Sequence, residues 1–299
     1  NKYMKKVTMA GDYDASGKDI SGIEDLLPGA QYNRDEHCEQ VVNDIIDNWM
    51  ILSQNGKFHA IFATSSIADA IDYYHRLSIA KPELKITALF DPNIDDERDT
   101  EYKEEGLVDI ITAYNELYDQ DFKLATHSKF KKDIADRLAH KKSYARIENT
   151  PEEQLDILIV VNQMLTGFDS KWLNTLYLDK VLEYENIIQA FSRTNRLFNH
   201  DEKPHGTIKY YRKPHTMERN IKRAIKLVIM KHLITLKNIV FIISITCLVS
   251  LIGCSKKVVY NAPSNLSKEY ISELSNEKKI AYRFITSAKE NHLVFDSIL

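Results

Sequence analysis

Residues 155–169 read Leu-Asp-Ile-Leu-Ile-Val-Val-Asn-Gln-Met-Leu-Thr-Gly-Phe-Asp, and the reading of this stretch decides the fold. Its first seven positions are apolar apart from Asp156, which is the texture of a strand buried on both faces of a sheet. The strand empties into Asn162-Gln163-Met164-Leu165-Thr166-Gly167-Phe168-Asp169. A glycine beside an aspartate at such a point can bring backbone amides against a phosphate, and the carboxylate can accept from a ribose or orient a cation. Taken alone, Thr-Gly-Phe-Asp fits an ordinary polar loop equally well.

Working outward, the same texture recurs. Residues 58–63 form a short apolar strand followed by Thr64-Ser65-Ser66 and a helical pattern through Ile67, Ala70, Ile71 and Tyr74, with Ser65 or Ser66 as N-cap. Residues 84–90 read as a second strand ending at Asp91-Pro92-Asn93. Helices are expected near 107–117 and 130–138, the latter with basic residues along it. Further strands are expected at 175–178 and 207–211, with a helical run over 186–197 between them. Strands alternating with helices predict an α/β fold with a parallel sheet covered on both faces, whose ligands gather at the carboxyl ends of the strands.

The flanks differ. Residues 1–55 read as a linker plus an amphipathic helix carrying Val41, Val42, Ile45, Ile46 and Trp49 at helical spacing. The lobe itself is expected over 56–228. Residues 239–253 are a nearly unbroken apolar run with Lys222, Arg223, Lys226, Lys231 and Lys237 before it, and 255–299 are a polar tail. No internal repeat is present. A chain that opens on Asn1 reads as a piece of something longer.

Bulk properties narrow the options. The chain has 299 residues, 43% of them hydrophobic and 28% charged, an ordinary globular composition. A formal net charge of -3 removes any whole-chain electrostatic argument for nucleic acid, so such contacts must be local. Cys38, Cys247 and Cys254 show no metal-ligand or disulfide spacing, and no metal site is expected. Gly11 to Asp19 misses the phosphate-binding P-loop pattern by one residue and by Asp19 where Ser or Thr is needed. Asp12, Asp14, Ser16, Gly17 and Glu24 miss the calcium-loop spacing and read as a polar turn.

The second piece with chemical content is Gln189-Ala190-Phe191-Ser192-Arg193-Thr194-Asn195-Arg196. On a helix, Gln189, Arg193 and Arg196 fall at i, i+4 and i+7 and share one face. Two arginines so placed can neutralise charge on a transferring phosphoryl group. A solvated basic face paired with Asp or Glu uses the same residues.

Together, the Thr-Gly-Phe-Asp loop and the Gln-x-x-x-Arg-x-x-Arg helix resemble motifs V and VI of superfamily 2 helicases and translocases. Residues 174–180 between them resemble the restriction (R, HsdR) subunits of type I restriction-modification enzymes. So do 58–66 with Ala68-Asp69-Ala70-Ile71, residues 88–93, and 206–217 with Tyr210-Tyr211-Arg212-Lys213-Pro214-His215. The blocks occur in order over roughly residues 40–228, with Ser192 where many other helicases carry Gly.

The resemblance implies a RecA-like C-terminal helicase lobe of an ATP-dependent DNA translocase, an endonuclease subunit. By it, Arg193 and Arg196 contact the γ-phosphate of ATP, and Gly167 and Asp169 face the nucleotide. Gln189 couples two lobes, while Thr64, Ser65 and Thr166 touch a DNA phosphate. Magnesium would be held mainly by a first lobe that, with the nuclease domain, lies upstream in this family, so the chain is expected to be inactive alone. Implied partners are double-stranded DNA, that first lobe, and the modification and specificity subunits.

The order from Met230 (basic start, apolar stretch, Leu251-Ile252-Gly253-Cys254) resembles a bacterial lipoprotein signal peptide at the wrong end of the chain. It reads as a neighbouring reading frame joined to a truncated gene, or as a C-terminal membrane anchor. The lobe is thus expected in the cytoplasm, membrane-associated if 239–253 is an anchor. A second functional reading is a non-catalytic remnant or a membrane-tethered fusion module.

Overall fold

The computed structural model describes residues 8–13, 16, 18–91, 100–161, 170–196, 198, 202–203 and 205–228. Residues 162–169 and the tail from 229, with its signal-like and polar stretches, lie outside the described residues. The chain divides into two units, Asn1–Asn220 and Ile221–Leu299. In the second, residues 221–228 are described and are helical.

The first unit opens with a small antiparallel hairpin, β1 (Asp12–Tyr13) and β2 (Asp19–Ile20), and a one-turn helix α1 (Ile23–Leu26). Helix α2 (Asp35–Leu52) follows and buries Val41, Val42, Ile45 and Trp49 of the expected stripe, together with Cys38, while Ile46 is half-buried. Then come β3 (His59–Thr64), α3 (Ile67–Ala80), β4 (Ile86–Leu89), α4 (Thr100–Tyr118) and α5 (His127–Leu138). The unit continues with β5 (Ile157–Val160), β6 (Leu173–Asp179), α6 (Tyr184–Phe191) and β7 (Thr207–Tyr210), and residues 214–220 are helical.

β3 to β7 form one sheet in the order β4-β5-β3-β6-β7, every pair parallel. All residues of β3, β4, β5 and β6 are buried, which is why their sequences run apolar without alternation. This is the α/β RecA-like architecture that residues 155–161 announce. The chain enters at the central strand β3, leaves to the edge strand β4, and later crosses to β6 and β7. The order therefore reverses at β3 and β6, and in open α/β sheets ligands gather at the carboxyl ends of such a pair.

Two side-chain arrangements hold the helices. Gly106 of α4 sits where an added Cβ would fall 2.5 Å from Ile71 Cδ1, so the absence of a side chain permits close packing of α3 and α4. The second is Arg137 of α5, buried within a cage of Tyr114, Tyr118 and Tyr144. Its guanidinium donates to Tyr114 Oη (3.0 Å), Tyr144 Oη (2.9 Å) and the Glu153 carbonyl. Both tyrosines in turn donate to the Asp133 carboxylate at 2.6 Å. Charge, fork and ring faces are all satisfied, the condition under which an arginine can be interior.

At the amino end of the sheet, His59 Nε2 and His140 Nε2 lie 2.7 Å apart, with His140 stacked 3.9 Å from Trp172. Burial is the largest influence on both and pushes their pKa values down, to about 3 for His59 and about 4 for His140. The neighbouring imidazole adds to this for His59 and the Lys171 ammonium for His140. A folded pKa below the unfolded value of about 6.5 means that the fold favours the neutral rings. The stabilisation is thus complete above about pH 6.5 and is lost as pH falls through the folded values. Lowering pH from about 7.5 to about 5.5 should cost ~2–3 kcal/mol from this pair, read as a lower urea midpoint. A midpoint that stays put over that range would show that the rings are not held neutral.

Candidate functional site

The carboxyl edge of the sheet is stitched together by side chains of β3, β6 and their loops. Thr64, the last residue of β3, is fully buried, and its hydroxyl donates within the edge, toward the carbonyls of Ser66 (3.1 Å) and Val160 (3.4 Å). Ser65 is exposed, and its Oγ donates to the Asp179 carbonyl at 3.0 Å. Ser66 is the N-cap of α3, its Oγ accepting from the Asp69 amide at 3.0 Å. Lys180 Nζ donates to the Val161 carbonyl at 3.1 Å, where the β5 strand passes into residues 162–169. Of the three DNA-facing residues expected from sequence, Ser65 is presented at the surface, Thr64 is internal, and Thr166 lies outside the described residues.

Beneath this edge lies a charge network that sequence reasoning missed. The Asp179 side chain is fully buried. It accepts from Tyr73 Oη, Arg212 Nη2 and His37 Nε2, each at 2.9 Å, and Arg212 also reaches Asp69 at 3.1 Å. Burial alone would raise the Asp179 pKa, but the bonds from His37 and Arg212 outweigh it and hold the carboxyl below its ordinary value. For Asp69 burial prevails over Arg212, and its pKa is raised. The available signal is an aspartate ending a strand whose preceding three residues, Leu176, Tyr177 and Leu178, are hydrophobic, together with an arginine just after the last strand.

Two further contacts bring flanking segments onto this frame. Asp44 of α2 accepts from Lys209 Nζ (2.8 Å) and Tyr211 Oη (2.8 Å). Glu24 is 2% exposed and accepts from the backbone amides of His215 (3.0 Å) and Thr216 (2.7 Å), capping the helix that begins there. Burial would raise the Glu24 pKa, yet the bonds from Thr216 and His215 leave it below normal.

The arginines sit elsewhere. The expected helix over 186–197 is shorter: α6 ends at Phe191, and residues 192–194 form turns. The last carbonyls are captured early, Ser192 Oγ donating to Gln189 (2.7 Å) and Thr194 Oγ1 to Phe191 (3.3 Å). Gln189, Arg193 and Arg196 therefore do not share a helical stripe. Gln189 is exposed on α6, Arg193 half-buried and Arg196 exposed beyond its end. Burial pushes the Arg193 pKa down, although a guanidinium remains charged at neutral pH.

The turn also lies toward the amino end of the sheet, not the carboxyl end. Phe198 packs on Phe58 (5.5 Å) and Trp172 (4.5 Å), which precede β3 and β6. Thr194 is buried against Gly206, where a Cβ would fall 2.4 Å from its side chain. Lys57 and Lys171 ammonium groups lie 4.9 and 4.7 Å from the Phe198 ring centroid. The expectation that all chemistry gathers after strand carboxyl ends therefore holds for Ser65 and not for the arginines. A β-α-β unit reverses direction once per helix, so a residue between helix and next strand belongs to the opposite end. Gly167 and Asp169 lie outside the described residues. No group of three or more possible metal ligands occurs among the described residues, and no described helix is long and apolar enough to cross a membrane.

A parallel five-stranded sheet covered by helices defines the class as a RecA-like α/β lobe. Residues 56–213 match the family model for type I restriction enzyme subunit R domain 3. The chain belongs to the type I restriction enzyme R subunit family. It is 35% identical over 204 residues to the type I restriction enzyme SauCOLORF180P endonuclease subunit of Staphylococcus aureus (strain COL), covering 65% of this chain and 21% of that protein. It is 34% identical over 211 residues to the SsaAORF53P endonuclease subunit of Staphylococcus saprophyticus, covering 69% and 22%. A shorter match, 38% over 66 residues, links it to the HindI endonuclease subunit of Haemophilus influenzae, covering 22% and 6%. The chain thus spans about a fifth of the length of the first two of these relatives.

Proposed function

We propose that this lobe is the second half of an ATP-driven DNA translocase within a type I restriction R subunit. Arg193 and Arg196 complete, from this side, an ATP site shared with a first lobe, and Gln189 lies between the two. Gly167 and Asp169 face the nucleotide, with magnesium held mainly by the first lobe. Ser65 and Thr166 meet a DNA phosphate, with Thr64 internal behind Ser65. The modification and specificity subunits are the protein partners, and the lobe works in the cytoplasm.

The observation that carries this reading is the match of residues 56–213 to the R-subunit domain, with Gln189-x-x-x-Arg193-x-x-Arg196 inside it. Supporting it, Ser65 and the arginine turn occupy opposite ends of one sheet, so duplex and nucleotide need not compete for the same surface.

A fragment ending at residue 228 is expected to hydrolyse no ATP by itself and to gain DNA-dependent turnover when a first lobe from a relative is added. Turnover by the lone fragment would contradict a shared site. No gain on adding the partner lobe would favour a non-catalytic remnant instead.

A further inference from the structure

The whole chain is slightly acidic, yet residues 123–146 carry eight Lys and Arg against two Asp. Of these cations, Arg137 is interior and Lys142 is paired with Asp136 at 2.6 Å. Lys129, Lys131 and Lys132 of α5, and Lys141 and Arg146 beyond it, are exposed and make no ion pair among the described residues. At 100° per residue the three α5 lysines fan over one outward arc shared with Ser128, Ala135 and Asp136, whose carboxylate is paired with Lys142. That arc has no large apolar side chain, so a lipid surface would find nothing to take up.

Placement matters as much as charge. The His127 imidazole at the start of α5 lies against the backbone of Phe90, the residue that follows β4. The start of α5 is therefore at the same carboxyl edge as Ser65, two strands away or about 10 Å. From there the twelve residues of α5 run about 18 Å to the amino end of the sheet, where Leu138 and His140 meet Ser170 and His59, a length that matches about five phosphates along one strand of a duplex. The neighbouring helix α4 turns Glu101, Glu104, Glu105 and Asp109 outward, a face that repels the same ligand and limits it to one side.

We propose that the exposed face of α5, through Lys129, Lys131 and Lys132 and continuing to Lys141 and Arg146, binds the sugar-phosphate backbone of duplex DNA. This surface leads from the carboxyl edge that carries Ser65 down one face of the lobe, and it rests on the proposed function only in taking DNA as the partner. Its contacts are to phosphates, so it contributes affinity and salt dependence without sequence preference.

Fluorescence anisotropy of a labelled duplex with the full chain, titrated at several salt concentrations, tests this. Combining Lys129→Gln, Lys131→Gln and Lys132→Gln should weaken binding at least about tenfold and flatten the log-log salt slope by about 2–3. Each single variant should flatten it by about 1, which keeps the test sound if the triple variant folds poorly. Lys141→Gln with Arg146→Gln should act in the same direction, and two duplexes of unrelated sequence should behave alike. An unchanged slope in the lysine variants would overturn the proposal, as would a chain that binds no duplex at low salt. Tighter binding to duplex RNA than to DNA would also overturn it. Failure of the ATP-site reading leaves these titrations untouched, so the two can be separated.

Discussion

Replacing Arg193 by Ala in the intact R subunit should lower DNA-stimulated ATP hydrolysis by roughly a thousandfold or more. In the proposed mechanism the guanidinium neutralises charge that develops on the γ-phosphoryl group, and alanine has nothing to offer there. Arg193 is half-buried at the mouth of a turn, so part of its desolvation is already met before nucleotide arrives. The turn itself is held by Ser192, Thr194 and Gly206, none of which the substitution touches. Binding of duplex DNA should therefore stay within about threefold, since Arg193 is not among the phosphate contacts proposed. Arg193→Lys should recover little, because an ammonium lacks the planar fork. Wild-type turnover in the alanine variant, measured with saturating DNA, would remove Arg193 from the mechanism.

The other large effect is structural. Asp179→Ala is expected to destabilise the lobe by about 3–5 kcal/mol, since it leaves a largely buried guanidinium and a buried phenol without their common acceptor. Arg212 would retain Asp69 and the face of Tyr32, and Tyr73 Oη, buried in α3, would lose its Asp179 acceptor. Asp179→Asn should cost less, because the amide oxygen can still accept from Tyr73 while the charge is lost. Equilibrium urea unfolding of the full chain would measure both. A loss below about 1 kcal/mol for the alanine variant would mean the network is not what holds α2, α3 and the segment after β7 to the sheet. The carboxyl is held below its ordinary pKa, so its contribution is present above about pH 4 and fades as pH falls through the folded value.

Much of this was legible before any coordinates. The mostly apolar runs at 58–63, 84–90 and 155–161 became β3, β4 and β5 within two residues of their expected bounds, because a doubly covered strand shows little polar alternation to misread. α2 emerged from its five-residue stripe for the same kind of reason. The end of α6 was not legible. Helical spacing extends through Arg196 in the sequence, whereas the serine and threonine hydroxyls that end the helix compete with the backbone only once the chain has turned. The Asp179 network was equally hidden. Its partners His37, Asp69, Tyr73 and Arg212 are spread over 176 positions, and no local pattern ties them together.

The amino-acid sequence by itself determined the class of the lobe, through apolar runs whose length and texture permit only buried parallel strands, and the order of blocks that marks the R subunit family. Tertiary structure alone decided which end of the sheet each chemical group occupies. Ser65 and the start of α5 share the carboxyl edge, and the end of α5 and the arginine turn lie toward the amino end. That division follows from strand order and from the reversal of direction that each helix imposes, neither of which a linear spacing records.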